Sequence, residues 1–131
     1  MNVLNRFANT IVLAAGLLLA APAFFPARTA ISAQSARYEE ARAVVDRTQT
    51  DLTRSVGLVH DGKELERYKN AQKKLSTFDR HLVKGKFDKG TLDSAIEDLQ
   101  HVLDHNTLQG QDRDTLMDDI RRLRELREFR G

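Results

Sequence analysis

An all-α fold, a small up-down antiparallel bundle of about four helices, is predicted by three observations on this 131-residue sequence. From Tyr38 onward, apolar and small residues recur in alternating steps of three and four, the signature of helices with one buried face. Short interruptions rich in Gly, Asp and Asn divide that pattern, near His60, at Gly85 and from Asn106 to Gly110. No run alternates apolar with polar residues as a strand would, and both prolines, Pro22 and Pro26, lie ahead of the periodic region.

The N-terminal segment reads as an export signal rather than as part of the bundle. Met1 to Arg6 carries one basic residue, Ile11 to Ala21 is an unbroken apolar stretch, and Pro22 stops it. Small residues suited to a peptidase follow, first Ala21-Pro22-Ala23 and then Ala30-Ile31-Ser32 before Ala33. The later position, Ser32/Ala33, divides the chain into a signal peptide over 1–33 and a helical-bundle domain over 34–131. The alternative is an uncleaved anchor, but the apolar stretch falls short of the roughly 20 residues a spanning helix needs.

The first helix of the domain carries Tyr38, Ala41, Val45, Thr48, Leu52, Ser55 and Val59 on one seam. Beyond Val59 the phase slips, because the next apolar residues fall at Leu65, Tyr68, Ala71, Leu75, Phe78 and Leu82. Asp61 and Glu64 have the spacing of a capping box, in which the first side chain accepts from free helix N–H groups and the second reaches back. Gly85, after Lys84, is placed to close the second helix in the left-handed conformation. Asp88 is the expected N-cap of the third, with Phe87 and Leu92 as a hydrophobic staple and Leu92, Ala95, Ile96, Leu99, Val102 and Leu103 as its buried stripe. The fourth runs from about Gln111 to Phe129, with Leu116, Ile120, Leu123 and Leu126 inward and Met117 and Phe129 beside them.

Composition narrows function by exclusion. Residues 1–33 hold Arg6 and Arg28 and no acidic residue, so the domain after the signal is formally neutral and lacks the positive field that phosphate-backbone binding requires. With no cysteine there is no disulfide, no lipid-anchor cysteine, no Cys-x-x-Cys-His haem attachment and no thiolate metal site. Charge is nevertheless segregated. Residues 63–89 carry nine Lys or Arg against four acidic residues, and residues 90–119 carry one against eight. This pattern reads mainly as internal pairing of a basic second helix with an acidic third one, and of Asp112, Asp114, Asp118 and Asp119 with the positive end of the fourth.

Two constellations remain as candidate sites. Glu97, His101 and His105, four residues apart, project from one side of the third helix and match the spacing of imidazole and carboxylate ligands for a divalent metal. That row lies opposite the apolar stripe, on the solvated face. The second is the arginine set Arg121, Arg122, Arg124, Arg127 and Arg130, suited to an anionic surface but diluted by Glu125 and Glu128, with Asp118–Arg122 and Arg124–Glu128 as internal pairs. No nucleophile, phosphate loop or other catalytic motif is present, and no cofactor beyond such a metal is implied. The expected role is therefore a non-enzymatic interaction, scaffold or accessory protein of the cell envelope, exported to the periplasm or beyond. Its partners would be an envelope protein or a second copy meeting it through a coiled-coil-like seam, with no nucleic acid and no membrane-integral domain once the signal is removed. Metal binding or buffering through Glu97, His101 and His105 is the alternative.

Overall fold

The computed structural model describes residues 25–128, with side chains from Ala33 to Glu128. Four helices account for its regular structure: α1 Phe25–Val56, α2 Gly62–Val83, α3 Lys89–His105 and α4 Gly110–Glu128. No strand occurs among the described residues. Each helix packs on its neighbour in the chain and α4 closes on α1, so the four enclose one core. The pairing is antiparallel. Arg42 meets Asp79 while Thr53 meets Gln72 across α1 and α2, and Asp93 meets Arg127 while Gln100 meets Arg124 across α3 and α4.

The start of α1 differs from the sequence expectation. The periodic seam begins at Tyr38, yet the helix begins at Phe25 and passes through the Ser32/Ala33 junction. The physical reason is local: Pro26 sits in the first turn, where its missing N–H costs nothing, and the following residues are mostly Ala, Ser, Thr, Gln and Arg with no further Gly or Pro. The Tyr38 hydroxyl donates to the Gly85 carbonyl at 3.2 Å, which sets α1 level with the α2–α3 turn at that residue. α1 extends ahead of that level, and Ala33 to Arg37 are exposed. Residues 1–24, which hold most of the expected signal, and Phe129 lie outside the described residues. Among the described residues no helix is long and apolar enough to cross a membrane.

The local signals for the other helices are realised. Asp61 caps α2 by accepting from Lys63 N–H at 2.9 Å and Glu64 N–H at 3.0 Å. Asp88 caps α3 by accepting from Thr91 N–H at 3.1 Å. Gly85 has φ of 73°, and α2 closes with Gly85 N–H donating to the Leu82 carbonyl and Lys86 N–H to the His81 carbonyl, both 2.9 Å, the pair of bonds that defines a Schellman cap. Phe87 packs edge-on against Phe78 with ring centroids 5.3 Å apart, which anchors the entry to α3. Around them Leu75, Phe78, Leu82, Leu92, Leu99, Val102 and Leu123 are buried.

The capping box at α2 is completed differently from its sequence pattern. The Glu64 carboxylate accepts from Thr107 N–H at 2.8 Å, in the α3–α4 loop. Beside it the buried Asn106 donates from Nδ2 to the Glu64 carbonyl at 3.1 Å and accepts at Oδ1 from Arg67 at 3.0 Å. These bonds clamp the end of α3 to the start of α2 and aim the chain into α4. Asn106→Ala is expected to cost about 2 kcal/mol, since buried partners lose their hydrogen bonds. A lower urea midpoint with unchanged slope would show it.

Candidate functional site

The surface where α1 meets α4 carries both an open groove and a buried polar cluster. The groove has a volume of ≈ 1310 Å³. Its apolar floor consists of Tyr38 and Val44 from α1, Phe87 from the α2–α3 turn, and Met117 and Leu126 from α4. Tyr38, Val44, Phe87 and Leu126 pack on the core from their inner sides, whereas Met117 is 53 % exposed. Helical periodicity explains the exposure: Leu116, Ile120 and Leu123 take the inner stripe, and Met117 is one step around from it. The rim is formed by Arg37, Lys89, Arg121, Arg122 and Arg124, with Glu40, Glu125 and Glu128 among them.

The rim is organised by Asp118. Its carboxylate accepts from Arg122 Nε at 2.8 Å, from Arg121, and from Arg47 of α1 at 3.1 Å. The Arg122 and then the Arg121 hydrogen bonds hold the Asp118 pKa down at about 2. The expected Asp118–Arg122 pair is thus present. Arg124, by contrast, turns from Glu128 to donate to Gln100 of α3 at 3.2 Å, while Glu128 accepts from Arg127 at 3.3 Å. Arg127 also pairs with Asp93, which ties the end of α4 to the start of α3.

Immediately below lies the buried cluster. Asp119 has no exposed surface, and neither of its carboxylate oxygens has a hydrogen-bond donor in bonding geometry among the described residues. Arg47 Nε is 3.5 Å from Asp119 Oδ1 and 3.7 Å from Asp51 Oδ2, so one guanidinium lies between two α4 carboxylates and one from α1. Asp51 also contacts Arg54 at 3.2 Å. Burial, and then the Asp51 charge, push the Asp119 pKa up to about 7. Arg47 opposes the shift, while the Asp118 charge adds to it. Next to the pair is a crevice of ≈ 10 Å³, the size of a single water, lined by Asp51, Ser55, Tyr68, Asp112 and Thr115 among others. The Tyr68 hydroxyl is buried there, and its pKa is raised by burial first and by the Asp112 and Glu64 charges next.

Asp119 has a different place from the one its sequence suggests. Grouped with Asp112, Asp114 and Asp118 it looks like one more favourable charge at a helix N-terminus. Counted by face, it stands three residues from Leu116, next to Ile120 and four from Leu123, inside the apolar stripe. A carboxylate at a seam position was the available signal.

Glu97, His101 and His105 are all exposed on α3. The two imidazoles meet edge-to-face with centroids 5.8 Å apart, and His105 Nδ1 lies 3.2 Å from the His101 carbonyl. Among the described residues no group of three or more His, Asp or Glu side chains that could hold a metal ion is found. His81 Nδ1 is 2.9 Å from Asp88 Oδ2, a contact at the α2–α3 turn that braces the N-cap of α3. No family model, no curated protein and no solved structure matches this chain.

Proposed function

We propose that this chain is an exported, non-enzymatic interaction module of the cell envelope, which receives an acidic amphipathic helix of a partner protein in the groove between α1 and α4. The observation that carries this reading is the groove itself: an apolar floor ending at the exposed Met117, bordered by five basic and three acidic side chains. A helix laid between two helices presents one apolar stripe to the floor and its flanking side chains to the rims, the usual mode of helix recognition in a groove. The groove is lined along α1 from Ala33 to Val44 and along α4 from Met117 to Glu128. Each stretch is about 16 Å at 1.5 Å per residue, or roughly three turns of a bound helix. The rim charges steer an acidic partner and disfavour a basic one. Export rests on the N-terminal signal pattern, Arg6 followed by the apolar stretch Ile11 to Ala21, and on the small residues before Ala33.

The test is an anisotropy titration of the chain with two labelled synthetic helices that share a leucine stripe and carry Glu or Lys on its flanks. Saturable binding of the Glu peptide, weakened at least about tenfold by Met117→Asp and by raised salt, is the expected result. Equal binding of both peptides, or indifference to Met117→Asp, would overturn it. Sedimentation of the chain alone runs beside the titration. A dimer that dissociates on Met117→Asp would assign the groove to a second copy and refute the acidic-partner reading.

A further inference from the structure

The two helices that meet at the α1–α4 contact are held by less apolar burial than α2 and α3: α4 buries the apolar Leu116, Ile120 and Leu123, and α1 is similar. The side chains α1 buries completely or nearly so are Ala41, Val45, Thr48 and Leu52, against Tyr68, Ala71, Leu75, Phe78 and Leu82 from α2. Apolar burial therefore holds α1 and α4 more weakly, since stabilisation scales with the apolar area removed from water. The α1–α4 contact encloses the fully buried Asp119 carboxyl, with both oxygens lacking an N–H donor and the Asp51 carboxyl beside it. The charged and titratable groups around it are Arg47 and Asp51 from α1, with Arg54 on Asp51, and Asp118 from α4, itself held by Arg121 and Arg122. Tyr68 from α2 and Asp112 from α4 face the same region across the small crevice, and the residue that follows α3, the uncharged Asn106, lies near Tyr68.

We propose that docking of α1 onto α4 is controlled by a proton, closed when protonated Asp119 donates to Asp51 and loosened when both carboxyls are ionised. In the closed form one carboxyl is neutral and the pair is joined by a hydrogen bond. With both ionised, two like charges are held in a water-excluded contact, and the one guanidinium between them, Arg47, is also engaged by Asp118. Detachment hydrates both carboxylates and leaves the α2–α3 hairpin, the most extensive pairing in the molecule, in place. The raised Asp119 pKa, about 7, puts the change in the range between mild acid and neutrality. Because Asp119 is sealed from solvent, it exchanges its proton when the helices part, which links proton uptake to the position of α1. The groove between α1 and α4 is intact only in the closed form, but the device rests on the buried carboxyl pair and not on what the groove receives.

Native-state hydrogen exchange read by mass spectrometry on the full chain tests it, with protection factors corrected for intrinsic rates between pH 5 and 8. Amides of α1 from Ala41 to Val56 are expected to be at least tenfold less protected than those of α2 and α3 at pH 8. Their protection should fall by up to about tenfold per unit as the pH rises from 5 to 7, the limit for release of one proton. In Asp119→Asn the slope is lost and α1 keeps its low-pH protection throughout. Asp51→Asn, which leaves a donor facing Asp119, should flatten the slope as well and carries the test if the first variant does not fold. Equal protection of all four helices, or a slope that survives both substitutions, would overturn the proposal.

Discussion

Phe78→Ala is expected to destabilise the chain by about 3 to 5 kcal/mol, the range for deleting a buried aromatic side chain. Phe78 is fully buried on α2, and its ring supports the edge of Phe87 at the turn into α3. Truncation leaves a cavity beneath that turn and removes the aromatic contact, so the transfer and cavity costs add. For a domain of this size, such a loss is a large fraction of the total stability. His101→Ala is the matched control. The His101 side chain is exposed on α3, and its removal in metal-free buffer should change stability by no more than about 0.5 kcal/mol. Urea denaturation of the two variants beside the parent decides the matter. A Phe78→Ala effect as small as that of His101→Ala would place the core elsewhere than between α2 and α3.

The second large effect is a stability that rises as the solution becomes mildly acidic. The folded-state pKa of Asp119, about 7, stands above the ordinary carboxylate value of 3.8, so between these limits the folded chain binds a proton that the unfolded chain does not. The contribution is fully present below the unfolded value and is lost as pH rises through the folded one, at about 1.4 kcal/mol per pH unit. Below the unfolded value the sign reverses. Asp118, held at about 2 by Arg122 and Arg121, and Asp61 and Asp88, lowered first by their backbone caps to Glu64 and Thr91, stabilise the fold only while ionised. Their contributions are lost as pH falls through the lowered values. Urea midpoints should therefore peak at roughly pH 4 and decline on both sides. Asp119→Asn should remove the decline on the neutral side, and it should be more stable than the parent at pH 8 though not at pH 4. A midpoint that is flat from pH 4 to 8 in the parent, or equally sloped in both proteins, would show that Asp119 is not the group responsible.

The two expectations draw on different kinds of information. Phe78 stands in a run of apolar residues at steps of three and four, and its burial follows from the periodicity of one helix. Asp119 occupies an equivalent place in the stripe of α4, yet its chemistry follows from its enclosure by the packed helices and then from Asp51, which lies far away in the chain. The arginines of α4 make the same point. Asp118–Arg122 is a contact within one helix and could be read from its spacing, whereas Arg124 had a partner at the right spacing in Glu128 and instead takes Gln100 from the neighbouring helix. A side chain on an inward edge responds to the facing helix before it responds to its own.

The all-helical class, the caps at Asp61 and Asp88, the left-handed stop at Gly85 and the buried residues of α2 and α3 were determined by the sequence alone. Each depends on groups within a few residues of one another, where backbone geometry leaves little freedom. Tertiary structure decided that Glu64 would bridge to Thr107, that Phe87 would meet Phe78, that Met117 would open onto a groove, and that Asp119 would be enclosed against Asp51 and Arg47. The reason is that these depend on the rotation and relative height of packed helices. Helical periodicity specifies which residues share a face, and only packing against another helix specifies what that face meets.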